Sequence, residues 1–600
     1  MSVEFPTSDP TWDLEPIFEG GVESRAFDDE VVALGEDVDG LDDRLEGLAL
    51  DGVDDFDRWQ AVFDEYFAIQ DRLSEANSFA RAVASAHADD PKAVRLPSRL
   101  DDVRTAFRQI GVELRSVFRD VDDAVFDAMV ADDRFSTMGL WLRELRRDAE
   151  RAMSYASESL AVDLNRDGLH AWGRLYSEVT GRLEVDVEIE GEVETCSVGQ
   201  AQNLMSDARR PVRAAAYEGL QEAWREVAPT CASALSSIRG TEQTLYRRRG
   251  GDYLTVPLDK NRVERSTLEA MFAATEEFRP LLERYHRAKA RFMGLELLEW
   301  FDLPAPVGDD DDDIAYEDAQ RFIVDQVEAI SPKIASFCRR ALSSRWVEAE
   351  DRGGKRQGGY CTSLPVSQEI RIFMTFGGTT SGVTTLAHEL GHGYHGEVMK
   401  ELPASQRTVP MGLAESASTL LEMIVEQAAL RDAEGARELA LLDGRMSRAS
   451  AFMMNIPARF ELEKRMHELR TRGRLHEDLL NEATREIFEE AYGEGVASVD
   501  ELFWASKLHY FLTGMPFYNF PYTFGYLFSR AIYRRAVADP DVVDDRLDDL
   551  LLDTGRMRSE EVADKHLDAD LSDPEFWVDA VGPLDEDLER YEELVDEFGE

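Results

Sequence analysis

Lysine is nearly missing from this chain: nine of its 600 residues, against 58 arginines. Basic charge of both kinds is itself outnumbered, with 67 Lys plus Arg facing 121 Asp plus Glu and a formal charge of −54. A surface so poor in cations lacks the row of phosphate contacts that nucleic-acid binding needs, and that class is excluded. Cysteine is also scarce. Cys196, Cys231, Cys338 and Cys361 are scattered with no C-x-x-C pair, which argues for reduced, mostly buried thiols and against a disulfide framework. No stretch approaches the roughly 18 apolar residues that span a bilayer, so no membrane partner is expected. Residues 1–20 lack a basic segment followed by an apolar run. The expectation is a soluble, cytoplasmic protein.

The acidic excess runs from one end of the chain to the other, so an acidic tail on a neutral domain does not explain it. Self-repulsion of this size destabilises the compact state at low ionic strength. A salt-rich cytoplasm would screen it, and a halophilic setting is the expectation. The thermal midpoint should therefore rise between low and molar KCl; equal or higher stability at low salt contradicts the idea.

Hydrophobic residues make up 43% of the chain, the usual share for a folded globular protein. Residues 24–165 carry apolar positions at three- and four-residue spacing, a helical pattern. Leu183, Val185, Val187 and Ile189 alternate strictly, and with Gly191 and the return through Val193 and Thr195 they predict a hairpin near 183–196. A division near residue 200 separates an amino-terminal helical lobe (1–200) from a catalytic part (201–600). Helical pattern resumes through about 345, broken at Gly250-Gly251 and at the loop Pro304–Asp313. Asp309 to Asp313 read as a solvated loop, because calcium-loop spacing and its glycine are missing. No repeat of fixed period occurs, and no pattern specifies an oligomeric state. The fold class is mainly α with one small sheet, which excludes a doubly wound α/β fold and a β-sandwich.

Histidine is rare, ten in all, yet His388, His392 and His395 fall within eight positions. His388-Glu389-Leu390-Gly391-His392 places two imidazoles four residues apart, on one face of a helix, where both can bind one zinc ion. Glu389, beside the first, can accept a proton from a water activated there. Upstream, Glu369–Phe376 alternates as a strand, with Ile370, Ile372, Met374 and Phe376 on one face. Gly377, Gly378 and Gly382 with Thr379 to Ser381 make the turn, and Thr384 or Thr385 can cap the helix that follows. A strand feeding a metal helix suits a zinc peptidase, since the strand edge can pair with extended substrate backbone.

Catalytic zinc takes three protein ligands and a water. Glu415, early in a helix that runs to about Leu430, is the expected third ligand. Glu422, seven residues on and on the same face, would fix one imidazole through its ring N–H. His395 competes, as it shares the helix face of the other two histidines. Three ligands from two continuous turns seldom converge on one ion, which assigns His395 to the outer shell. A second constellation begins at His509 and continues through Gly514–Tyr526. Pro516 and Pro521 forbid one continuous helix, and Pro521 suits the start of a new one. Tyr522 and Tyr526 then share a face near its amino terminus. Imidazole and phenols are suitable donors to the oxyanion of a tetrahedral intermediate.

Together, His388–His392, Ala414-Glu415-Ser416-Ala417-Ser418 and the His/Tyr segment resemble oligoendopeptidase F, of the thimet oligopeptidase class of zinc peptidases. The resemblance extends to Lys355–Cys361 and to Trp12-Asp13-Leu14. It implies a two-lobed helical body enclosing a deep channel that admits short unstructured peptides. It further implies that one zinc is held by His388, His392 and Glu415, that Glu389 is the base, and that His509, Tyr518 and Tyr522 lie near the substrate. Phe520 departs from relatives that carry another tyrosine.

The expected reaction is hydrolysis of internal bonds in short peptides, with Glu389 moving the proton, His509 and one of Tyr518, Tyr522 or Tyr526 stabilising the oxyanion, and Glu369–Phe376 aligning the backbone. One alternative is a carboxypeptidase or dipeptidyl carboxypeptidase on a related scaffold, for which Arg371 could recognise a free carboxylate. Another is a peptide-binding protein without catalysis, against which the intact Glu389 argues.

Overall fold

A computed structural model describes residues 5–308, 314–356, 358–538 and 543–599; Asp309–Asp313 lie outside it. Helices dominate. Among the described residues five strands form two small sheets. β1 (Glu184–Ile189) and β2 (Glu192–Ser197) are an antiparallel hairpin, turned at Glu190 and Gly191 with φ of 57° and 87°. β3 (Val347–Glu348), β4 (Tyr360–Leu364) and β5 (Glu369–Phe373) form the second sheet in the order β3-β5-β4, with β3 parallel and β4 antiparallel to β5. No described helix is long and apolar enough to cross a membrane.

The chain divides into two compact units, each assembled from three segments: 1–159, 311–428 and 532–562 in the first, 160–310, 429–531 and 563–600 in the second. The sequence division at residue 200 follows neither. Sequence order hides this arrangement because the segments of each unit are interrupted by segments of the other.

In the first unit, helical spacing becomes a core directly. Ser24 Oγ accepts from Phe27 N–H at 3.2 Å and starts the helix Arg25–Leu45, a cap worth about 1 kcal/mol. Phe27, Leu34, Val38 and Leu41 turn inward from it against Trp59, Phe63 and Phe79 of the helix Phe56–Ala86. The amino-terminal Trp12-Asp13 segment is pinned to the three-stranded sheet. Asp13 N–H donates to Arg345 O at 2.8 Å, Ala349 N–H to Pro10 O at 2.6 Å, and the Trp12 and Phe373 rings lie 5.7 Å apart. Lys355 Nζ donates to the carbonyls of Glu350 (2.7 Å) and Met374 (2.8 Å), tying down the approach to β4.

Two sequence expectations change here. The strand ends at Phe373 and is the middle one of its sheet, so it offers no free edge to a peptide. Its far side is taken by β3 and the residues around it: Ile372 and Met374 N–H donate to Trp346 O and Glu348 O, each at 2.9 Å. Alternation identified the strand but carries no information about its neighbours. Arg371 is buried and occupied, its Nε donating to Asp13 O at 2.9 Å and its Nη1 to Glu369 Oε2 at 2.8 Å. It fastens the amino-terminal segment and is not available to a substrate carboxylate.

Candidate metal centre

The helix Thr380–Met399 carries both histidines of the motif and is buried along most of its length. Its cap is Thr379, whose Oγ1 accepts from Gly382 N–H at 3.1 Å. The expected caps Thr384 and Thr385 lie inside the helix instead, their hydroxyls donating back to Ser381 O at 3.0 and 2.9 Å. Gly382 thus belongs to the first turn, and the loop ends earlier than its glycines suggest.

His388 and His392 stand one turn apart with ring centroids at 4.8 Å. Glu415 comes from a second helix, Met411–Arg431. That helix can approach because of Gly391. A Cβ built there would lie 2.5 Å from both Ala417 O and Ser418 Cα. Glycine inside a helix costs up to about 1 kcal/mol relative to alanine, and here it allows backbone-to-backbone contact. Gly391→Val should therefore separate the two helices, weaken zinc binding and cost about 1–3 kcal/mol of stability. Zinc titration and a thermal melt of the variant check both.

The donors are spaced for an ion. Glu415 Oε2 lies 3.4 Å from His388 Nε2 and 3.5 Å from His392 Nε2. Two ligands each about 2.0–2.1 Å from a tetrahedral zinc stand roughly 3.4 Å apart, so the three residues present fit that metal. Ser418 Oγ donates to Glu415 Oε2 at 2.8 Å, which orients the carboxylate. Glu422 Oε2 is 2.9 Å from His388 Nδ1. A carboxylate can only accept there, so Nδ1 carries the proton and Nε2 keeps its lone pair toward Glu415. Burial lowers the pKa of His392 to about 4, partly opposed by Glu415, which leaves the ring neutral as metal ligation requires.

Glu389 is buried, and its Oε2 has no hydrogen-bond partner. Burial raises its pKa to about 7, with His388 opposing and Glu415 adding to the rise. Its Oε1 faces Gly359, where an added Cβ would come within 3.1 Å. The edge strand β4 thus begins against the carboxylate of Glu389. In the sequence the local signal for this contact is the pair Gly358-Gly359 ahead of the strand, which does not identify Glu389 as the neighbour. His395 stands apart from the cluster. Its Nε2 is 2.9 Å from Thr554 Oγ1 and 3.3 Å from Leu551 O, and the ring is buried.

His509, Tyr518, Tyr522 and Tyr526 belong to the second unit. His509 stacks on Tyr518 with centroids at 5.1 Å, its Nδ1 unpartnered, and Tyr522 Oη donates to Tyr518 Oη at 3.1 Å. Burial, then Arg459 and Lys507, lower the His509 pKa to about 4. Tyr526 is not part of this group. It stacks on Phe452 at 4.8 Å, and its hydroxyl accepts from Arg530 Nη1 at 3.3 Å. The loop between His509 and Tyr518 is fixed at both ends by buried charge that periodicity did not reveal. Arg239 Nη2 donates to Tyr510 O at 2.9 Å and to Glu463 Oε1 at 2.7 Å, and Glu463 Oε1 also receives Phe517 N–H at 3.1 Å.

Known proteins resemble this chain in sequence and in fold. Residues 203–583 match the profile of Peptidase family M3, and residues 119–184 that of Oligopeptidase F. An oligoendopeptidase F homolog from Lactococcus lactis subsp. lactis (strain IL1403) is 26% identical over 336 residues, 55% of each chain. Oligopeptidase PepF of Bacillus subtilis (strain 168) is 23% identical over 418 residues, 68% of this chain and 61% of its own. The chain thus spans a little over half the length of the curated relatives it matches. The crystal structure of oligoendopeptidase F from Enterococcus faecium shares the fold, with a TM-score of 0.70 at 17% identity over 96% of this chain and 99% of that one. Since the first match takes in well over half of the residues, His388, Glu389, His392 and Glu415 among them, the chain belongs to peptidase family M3.

Proposed function

We propose that this protein is a zinc-dependent oligoendopeptidase that hydrolyses internal bonds of short unstructured peptides. The observation that carries the reading is the convergence of His388, His392 and Glu415, whose donor atoms lie within 4.8 Å of one another, beside a buried glutamate whose Oε2 has no hydrogen-bond partner. Zinc, when bound, polarises the scissile carbonyl and lowers the pKa of water. Glu389 takes a proton from the attacking water and hands it to the leaving amide nitrogen. Glu422 keeps the His388 ring in its ligating tautomer, and Ser418 holds the Glu415 carboxylate in position.

We assign substrate alignment to the edge strand β4, because β5 has partners on both sides and β4 starts against Glu389. The oxyanion falls to His509 with Tyr518 or Tyr522. Support for that comes from the family resemblance and from the clustering of these three side chains, which Tyr526 does not join. With Arg371 engaged by Asp13 and Glu369, the carboxypeptidase alternative loses the arginine it was built on. Work in a salt-rich cytoplasm belongs to the same proposal and rests on the charge of −54.

The test is a zinc-loaded digest of a peptide blocked at both ends, analysed by mass spectrometry. Internal cuts that vanish with a chelator and return with zinc are expected. Cleavage only of peptides with a free carboxy terminus, or none at all, contradicts the reading.

A further inference from the structure

In a chain with nearly two acids for every base, interior cations find carboxylates. Arg213 pairs with Asp302 at 2.9 Å, Arg239 with Glu242 and Glu463 at 2.7 Å, and Lys289 with Asp443 at 3.0 Å. Arg459 and Lys507, both half-buried, are different: among the described residues neither forms an ion pair. Both lie over the ring of Phe503, the Arg459 guanidinium carbon 5.0 Å and the Lys507 Nζ 4.7 Å from its centroid. Arg459 donates only to neutral amides, Nε to Asn455 Oδ1 at 2.7 Å and Nη1 to Asn519 Oδ1 at 3.5 Å. Asp500, an acid that acts on Lys507, is turned to Gln221 Nε2 at 2.8 Å and Leu502 N–H at 2.9 Å.

Two like charges held together away from bulk water repel each other, and an arriving anion relieves that cost. Burial, then Arg459, lower the Lys507 pKa to about 8, while Asp500 opposes the shift, so the side chain is still mainly charged at neutral pH. Lys507 lies two residues ahead of His509, and both cations act on that ring. We propose that Lys507 and Arg459 form a carboxylate-binding subsite that anchors the peptide substrate, through its terminal carboxylate or through an acidic side chain. This rests on the peptidase reading above and adds a substrate class to it: peptides that carry an anion at a fixed place.

The experiment is calorimetric binding to the zinc-loaded, full-length Glu389→Gln protein, in which turnover is suppressed. One arm pairs a neutral octapeptide as free acid and as amide; the other pairs amidated octapeptides with Glu or Gln near the carboxy terminus. The net negative charge of the protein disfavours the anionic member of each pair, so tighter binding of that member reports a local site. In at least one arm it should bind roughly 10- to 100-fold more tightly, the share of a charge-assisted hydrogen bond. The arm that shows the ratio identifies the source of the carboxylate. Adding Lys507→Met should bring that ratio near one, and Lys507→Arg should keep it. The ratio is internal to each variant, so partial loss of folded protein leaves it readable. Ratios near one in both arms, or a ratio unchanged by Lys507→Met, overturn the proposal. Failure of the wild-type enzyme to cut any peptide, with these ratios intact, would instead overturn the peptidase reading alone.

Discussion

Glu389→Gln is expected to retain zinc and to lose roughly 10²- to 10⁴-fold in kcat/KM, the usual share of a general base. The amide has nearly the shape of the carboxylate and is not one of the three donors, so the metal site should survive. What disappears, on the proposed mechanism, is the group that removes a proton from water and returns it to the amine. The same residue sets the acid side of the pH profile. Burial, opposed by His388 and reinforced by Glu415, raises the Glu389 pKa to about 7, and the base form exists only above the operative value. A bound cation draws that value down, so the acid limb of the wild-type profile should lie below pH 7, with the rate falling as pH falls through it. The limb should be missing from the residual activity of Glu389→Gln. Stopped-time assays across pH with matched zinc content measure both; near-normal turnover of the variant contradicts the assignment.

Glu415→Gln should release the metal, while His395→Gln should keep it. The carboxylate supplies the only negative charge among the three donors, and a neutral amide oxygen is a poor replacement. Zinc affinity should fall by more than about 100-fold, beyond the loss typical of an outer-shell partner. Glu422→Gln, which alters the carboxylate facing the outer nitrogen of His388, belongs within that outer-shell range of about 10- to 100-fold. His395 holds Thr554 and Leu551 rather than the cluster, so its replacement should lower stability by about 1–3 kcal/mol, the cost of unpaired buried partners, and leave zinc in place. Metal analysis of the three dialysed variants distinguishes them. Zinc retained by Glu415→Gln and lost from His395→Gln would reverse the ligand assignment.

Much of the metal centre was legible because its signals are local. A four-residue histidine spacing fixes a helix face, and a seven-residue spacing puts Glu415 and Glu422 on another. The hairpin at Glu190-Gly191 and the helix from Met411 follow from alternation and periodicity in the same way. Other features depend on partners distant in the chain. Nothing in Glu369–Phe376 says that Trp346, Glu348 and Ala349 will cover one side of the strand, so alternation leaves the state of its edge open. Gly391 looks like a helix fault until Ala417 and Ser418 are seen against it. The ties that hold the His509 loop, Arg239 and Glu463, are separated by 224 residues and carry no local pattern. Helix starts fail for a smaller reason: a threonine that caps and one that bonds back to its own helix look alike in sequence, so Thr379 is not distinguished there from Thr384 and Thr385.

The most direct test of this account is anomalous diffraction at the zinc edge from crystals of the zinc-loaded protein. A single strong peak per chain, within about 2.0–2.2 Å of His388 Nε2, His392 Nε2 and Glu415 Oε2, is the predicted result. A peak bound elsewhere, or none there under metal-replete conditions with Glu415 turned outward, would contradict it.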